Sequence, residues 1–329
     1  MSQNDSSDTS PGVLDATISW KIRDADYEKG LEPKIAINNS LKVIELHAGG
    51  SNQDLWYTLG TLQPDGTVEW EQQHELPNVL MDSGPAIAMD DSGNIVTLEL
   101  DLDTSIYYRI GNTNDTPVIG KAIPCNDEDG NPEAGVNPSV SLNNNGVVVQ
   151  FYECTKGLCY RIGELEASQG TISWQASTTF SYSAGHKPAV GINDNGVVIL
   201  LLEAHVGPIG SNAQLWQYVG QLQPDGQSIQ WQHHVVYDLD GVHPGVAINN
   251  AGIIVQVNRD AHDELWYRIG KLDGQTVTWT SRVALSQKDQ DKGQEAAVSV
   301  TQSNNVIAVY RKESTHTLRL STGVVEVSS

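Results

Sequence analysis

Two segments hold the side chains best suited to chemistry: "ELHAGGSNQDLW" at 45–56 and "LEAHVGPIGSNAQLW" at 202–216. Each contains Glu-x-His, then a Gly-Ser-Asn turn, then Leu-Trp. The first supplies Glu45, His47, Asn52 and Trp56; the second supplies Glu203, His205, Asn212 and Trp216. Carboxylates and amides bond hydroxyl groups, imidazole donates or accepts, and indole offers an apolar face. That set suits a sugar. Both segments run on into "LQPDG", at 62–66 and 222–226. Duplication of half the chain would also produce the similarity, with no ligand involved.

Other candidates are less specific. Glycosidases need two carboxylates on the order of 5–10 Å apart across a pocket, and none of the many acidic residues is singled out as such a pair. The loop "CNDEDGNPEAGVNP" at 125–138 is acidic and has Gly130 for a sharp turn. It could hold Ca²⁺ through Asp127 and Asp129, although it lacks the alternating ligand positions of a twelve-residue calcium loop. No other metal or cofactor is expected. His74, His186 and His243 recur loosely, one per repeat, and do not converge as zinc requires. Cys154 and Cys159 flank "TKGL". With Lys156-Gly157 as a two-residue turn they would face each other across a hairpin, either as a disulfide or as two free thiols.

Charge excludes some partners. The chain has 329 residues, with 19 Lys and Arg against 41 Asp and Glu, a net charge of −22. Nucleic acid and anionic membrane surfaces would be repelled. No apolar run reaches the ~20 residues that span a bilayer. Residues 1–13 are polar, read as a flexible segment, and lack the apolar core of a secretory signal.

These candidates are positioned by a repeat. Five units begin at a proline: "PKIAINN" at Pro33, "PAIAMDD" at Pro85, "PSVSLNN" at Pro138, "PAVGIND" at Pro188 and "PGVAINN" at Pro244; a sixth, "AAVSVTQ", begins at Ala296. An Asn/Asp/Gly turn follows, a strong hairpin signal. Next comes a continuous apolar strand such as "VVILLL", of the kind covered on both faces. The third strand is the "LWYRIG" phrase, and the fourth ends near a tryptophan, as in "TISW". Four strands per unit of about 50 residues and no helical pattern predict an all-β fold, a β-propeller of six four-stranded blades forming one domain over 14–329. A seventh blade built from both termini is the alternative. "ATISW" at 16–20 and "GVVEV" at 323–327 both read as fourth strands, so pairing of the N- and C-terminal strands would close the ring. The Trp and Tyr of "LWYRIG" are expected to wedge neighbouring blades apart.

The array resembles the small repeat-built β-propeller lectins and the propeller modules of bacterial secreted and toxin-associated proteins. That resemblance covers about residues 14–327 and implies a carbohydrate-binding module, secreted or at the cell surface, with glycan partners and several weak sites. Six-bladed fucose-binding lectins use Arg, Glu and Trp between blades. Here Arg109, Arg161 and Arg268 recur in "YRIG", but Thr58 and Tyr218 replace them in units 1 and 4. Sialidase propellers have Asp-box turns, which "QPDGTVEW" at 63–70 only grazes. A glycan-processing hydrolase with its site at the central channel and a protein-interaction scaffold are the alternative functions.

Overall fold

The computed structural model describes residues 13–49, 54–76, 84–116, 118–182, 185–205, 213–232, 234–286 and 292–328. Asn52 and Asn212 lie outside the described residues, as do 1–12 of the N-terminal segment.

The chain is an all-β propeller of six blades. Blade 1 is Leu31–Ile37, Lys42–Ala48, Leu55–Leu62 and Val68–Trp70, and blade 4 is His186–Ile192, Val197–His205, Ala213–Leu222 and Ile229–Trp231. First strands touch in cyclic order and line the axis. Second strands are buried on both faces, which explains their unbroken apolar runs.

Blade 6 closes the ring. Its first three strands are Gly293–Val300, Asn305–Lys312 and Thr317–Val327, and its outermost strand is the N-terminal Ala16–Lys29. "GVVEV" is therefore the end of a third strand, not a fourth. Terminal pairing holds as expected, running from Ala16↔Val327 to Lys29↔Thr317.

Of the Trp and Tyr expected to wedge the blades, the Tyr does enter the seams, and a fourth-strand tryptophan takes the place of the third-strand one. Trp56, Trp216 and Trp266 of the third strand are half-exposed, whereas the adjoining Tyr57, Tyr218 and Tyr267 are buried. The fourth-strand tryptophans fill the seams. Trp70 stacks on Tyr27 of blade 6 at 5.5 Å, and Trp279 stacks on Tyr237 of blade 4 at 5.3 Å. Trp174 meets Tyr108 edge-on at 5.9 Å, and Trp20 meets Tyr267 edge-on at 5.6 Å.

The repeated Asn/Asp turn does more than reverse the chain. At the second turn residue, each backbone N–H donates to a side-chain oxygen of the next blade. Asn39 donates to Asp91 (2.9 Å), Asp91 to Asn144 (2.8 Å), Asn144 to Asp194 (2.8 Å), Asp194 to Asn250 (2.8 Å), Asn250 to Gln302 (2.7 Å), and Gln302 back to Asn39 (2.8 Å). This circle of hydrogen bonds joins all six blades at one end of the channel. Asp194 also accepts from Asn144 Nδ2 and Asn250 Nδ2. Burial raises its pKa, but those bonds outweigh burial and hold it below the usual value. Its contribution is therefore complete above the unfolded value of about 3.9 and is lost as pH falls through the lower folded value. Asp194→Asn puts an amide donor opposite other donors. We expect a loss of about 1–2 kcal/mol, measured by denaturant unfolding at neutral pH.

Cys154 and Cys159 form a disulfide. The hairpin turn is Thr155-Lys156, one residue earlier than expected, so Cys154 pairs with Gly157 and Cys159 with Tyr152. The bridge runs diagonally, with a Cα–Cα distance of 5.9 Å.

Candidate functional site

The two Glu-x-His motifs are not equivalent. Leu55 pairs with Ala48, but its counterpart Leu215 pairs with Glu203. The blade 4 motif thus sits three residues further along its strand, and an odd offset turns it to the other face of the sheet. The expectation of two matching pockets is corrected accordingly. Glu45 and His47 are 0% and 1% exposed. His47 Nδ1 lies 2.8 Å from Glu45 Oε2, Gln73 Nε2 lies 3.1 Å from His47 Nε2, and Tyr27 faces Glu45. They form a polar plug in the seam between blades 6 and 1, out of reach of a dissolved sugar. Trp56 lies beside His47 at the outer end of that strand pair.

The blade 4 motif borders open space. The His205 side chain is 53% exposed, with Nε2 3.0 Å from Glu203 Oε1. Glu203 Oε2 accepts the His243 N–H of blade 5 at 3.2 Å. One face of Trp216 is covered by His234, with ring centroids 4.0 Å apart. The "YRIG" arginines are held by their own chain: Arg109 by Glu99, Arg161 by Glu133 and Gln175 O, and Arg268 by Asp238 and Thr280 O. Asp127 caps its own loop, accepting from the N–H groups of Asp129 and Asn131.

A more convergent site lies on the axis, at the end of the channel opposite the Asn/Asp circle. There Glu32, Lys34, Asn137, Lys187, His243 and Glu295 line a cavity of about 100 Å³. The local cause is a bulge in the first strand of five blades, between Leu31 and Lys34, Val136 and Ser139, His186 and Ala189, Val242 and Gly245, and Gln294 and Ala297. At each bulge one residue has a left-handed backbone: Glu32 (φ 53°), Asn137 (52°), Lys187 (49°), His243 (51°) and Glu295 (58°). Such residues cost about 1–3 kcal/mol each and cluster at functional sites, and bulges re-aim side chains. Here they aim five polar side chains at one point.

The electrostatics of the mouth are mixed. Glu295 Oε2 accepts the Glu32 N–H at 2.7 Å across the blade 6–blade 1 seam. Arg311 clamps Glu295 with Nε to Oε2 and Nη2 to Oε1, both at 2.8 Å. Lys187 Nζ donates to Asn137 Oδ1 at 2.5 Å, and its N–H donates to Glu153, which also holds His186. Burial raises the Glu32 pKa. Burial pushes Glu295 the same way, but the Arg311 bonds and charge reverse it to a lowered value. Burial, then the charges of Lys187, Arg259 and Lys34, push His243 down to about 4. The two carboxyls of the seam are thus driven in opposite directions.

Sequence reasoning noted His186 and His243 but missed the mouth. A usable signal was the residue before each first-strand proline: Glu32, Gly84, Asn137, Lys187 and His243 vary while the strand after them repeats.

The sequence matches no protein-family model and no curated protein. The fold does have solved counterparts. An α-L-arabinanase of Penicillium chrysogenum, solved with arabinobiose, has a TM-score of 0.61 at 12% identity over 95% of this chain and 99% of its own. The intramolecular trans-sialidase of Ruminococcus gnavus, in complex with oseltamivir carboxylate, scores 0.61 at 10% identity over 91% and 96%. The six-bladed Aleuria aurantia lectin, with its fucose recognition mode, scores 0.52 at 10% identity over 92% and 97%. The likeness is one of fold. Function does not follow from it, and among the described residues no helix is long and apolar enough to cross a membrane.

Proposed function

We propose that the protein binds carbohydrate at the axial mouth, one ligand per chain. The observation that carries this reading is the convergence of five bulged, left-handed residues on a single cavity. Glu32, Glu295 and Asn137 accept from hydroxyls, while Lys187 and His243 add donors or switchable nitrogens. Glu203 and His205 extend the site toward the rim of blade 4, joined to it by the His243 N–H. Counterparts of the same fold solved with arabinobiose and with a fucose recognition mode support a sugar as the ligand class.

A glycan array tests this, run with and without calcium. Binding of a defined glycan family is expected in the wild type, with at least ten-fold loss in Asn137→Ala and no loss in Trp56→Ala. A blank array in both buffers contradicts the reading and favours a protein-binding scaffold.

A second reading has its own observation. Glu32 and Glu295 meet at one seam with pKa values pushed apart, the pattern of an acid and a base that share a reaction. In a glycan hydrolase Glu32 would be the proton donor and Glu295 the ionised partner. Reducing-end release from the array's positive glycans, abolished in Glu32→Gln with binding retained, would support it.

A further inference from the structure

We propose that the ligand of the axial mouth is a carboxylate-bearing sugar, anchored by the Lys34 ammonium. This rests on the carbohydrate reading and specifies its substrate class. The observation is a break in the repeat. Lys34 follows the proline of unit 1, and its counterparts across the other blades are Ala86, Ser139, Ala189, Gly245 and Ala297. The strand registers confirm the equivalence: Lys34 pairs with Leu46, Ala86 with Leu98, Ser139 with Phe151, Ala189 with Leu201, Gly245 with Val257 and Ala297 with Val309. One layer of the channel therefore has five small residues and a single lysine.

Lys34 lines both the charged mouth and the cavity beneath it, and among the described residues it is the only charged one lining the latter. Among the described residues its ammonium makes no hydrogen bond or ion pair, unlike Arg311 or Lys187. Burial holds its pKa below the usual lysine value. A half-buried ammonium with no bonded partner beside the cavity is available to an anion that enters. The neighbouring acids Glu32 and Glu295 act on it through their charges alone, without a direct bond. Glu295 is already clamped by Arg311, and burial disfavours the ionised form of Glu32.

The rest of the mouth selects the kind of anion. A dianionic phosphate would face Glu32 and Glu295 in a chain of net charge −22. A sugar monocarboxylate puts one negative charge on Lys34 and offers hydroxyl hydrogens to those same acceptors. The small residues around Lys34 leave room for the carboxylate to enter the layer.

The test is calorimetric titration with D-glucuronate and D-galacturonate. D-glucose, the uronate methyl esters and acetate serve as controls, on wild type, Lys34→Met and Lys34→Gln. Expected is binding of at least one uronate ten-fold or more tighter than its ester, with that preference lost in both variants. Melting temperatures of the variants should stay close to wild type, because the half-buried Lys34 ammonium makes no hydrogen bond or ion pair whose loss would unfold the chain. The His243 ring, followed by NMR, should titrate higher in both variants than in the wild type, because the Lys34 charge that lowers it is gone. Equal binding of uronate, ester and glucose overturns the acidic-sugar assignment but leaves the carbohydrate reading intact. Acetate binding as tightly as uronate overturns it in favour of a simple carboxylate site. No binding of any uronate, with neutral array glycans still bound, overturns it too, whereas no sugar binding of any kind removes both readings.

Discussion

Removal of residues 1–29 is expected to abolish cooperative folding. The strand Ala16–Lys29 covers the third strand of blade 6 along its length and fills two seams at once. Ile18 is 5% exposed in the cluster shared with blade 5, Trp20 packs on Tyr267, and Tyr27 stacks on Trp70 of blade 1. Asp24 accepts the Tyr310 hydroxyl at 2.8 Å, and Asp26 pairs with Arg319 at 2.7 Å. At about 1.5–3 kcal/mol per buried large apolar side chain, the three ring and aliphatic contacts alone approach the roughly 5–15 kcal/mol that keeps a domain folded. Truncation also bares Thr317–Val327 as an open edge, which invites association. Circular dichroism melting and size-exclusion chromatography should show no cooperative transition and aggregated material. A cooperative melt within a few degrees of full length would contradict the account of closure.

Arg311→Met is expected to cost about 3 kcal/mol and to invert a pH dependence. Removing one partner of a buried pair leaves the other charge uncompensated, and Arg311 is 7% exposed. In the wild type the lowered Glu295 pKa gives stability that is complete above the unfolded value of about 4.3 and is lost as pH falls through the folded value. Without Arg311, burial dominates over the Glu32 N–H and the Lys34 charge, and the folded pKa rises above the unfolded one. The sign then reverses: the contribution is present below about 4.3 and is lost as pH rises through the raised folded value. Urea midpoints for both proteins between pH 3 and 7, compared as a difference, check this. The gap should widen with pH, and a constant gap would contradict it.

The fold was legible because its determinants are local and repeated. Asn-Gly turns, two-sided apolar strands and the fourth-strand tryptophans each mark a strand boundary, and six recurrences average out local noise. The terminal closure was legible because "ATISW" has no unit before it. The site was not, for a physical reason. Glu-x-His spelled the same in two blades reads as equivalence, but a strand has period two. A three-residue slip between Glu45 and Glu203 moves one motif into a seam and leaves the other at a rim. Bulges at Glu32, Asn137, Lys187, His243 and Glu295 leave no mark of their own type, since none of these is the glycine that a left-handed backbone favours. Lys34 was visible in principle: comparing its column with Ala86, Ser139, Ala189, Gly245 and Ala297 isolates it. Which face that column occupies is a tertiary fact.

The central claim is one ligand on the axis, and binding stoichiometry tests it most directly. Calorimetric titration of the wild type with the strongest glycan from the array should saturate at one ligand per chain, with binding at least ten-fold weaker in Asn137→Ala. Saturation at two or more equivalent ligands per chain, unchanged in Asn137→Ala, would place recognition between the blades and contradict the axial site.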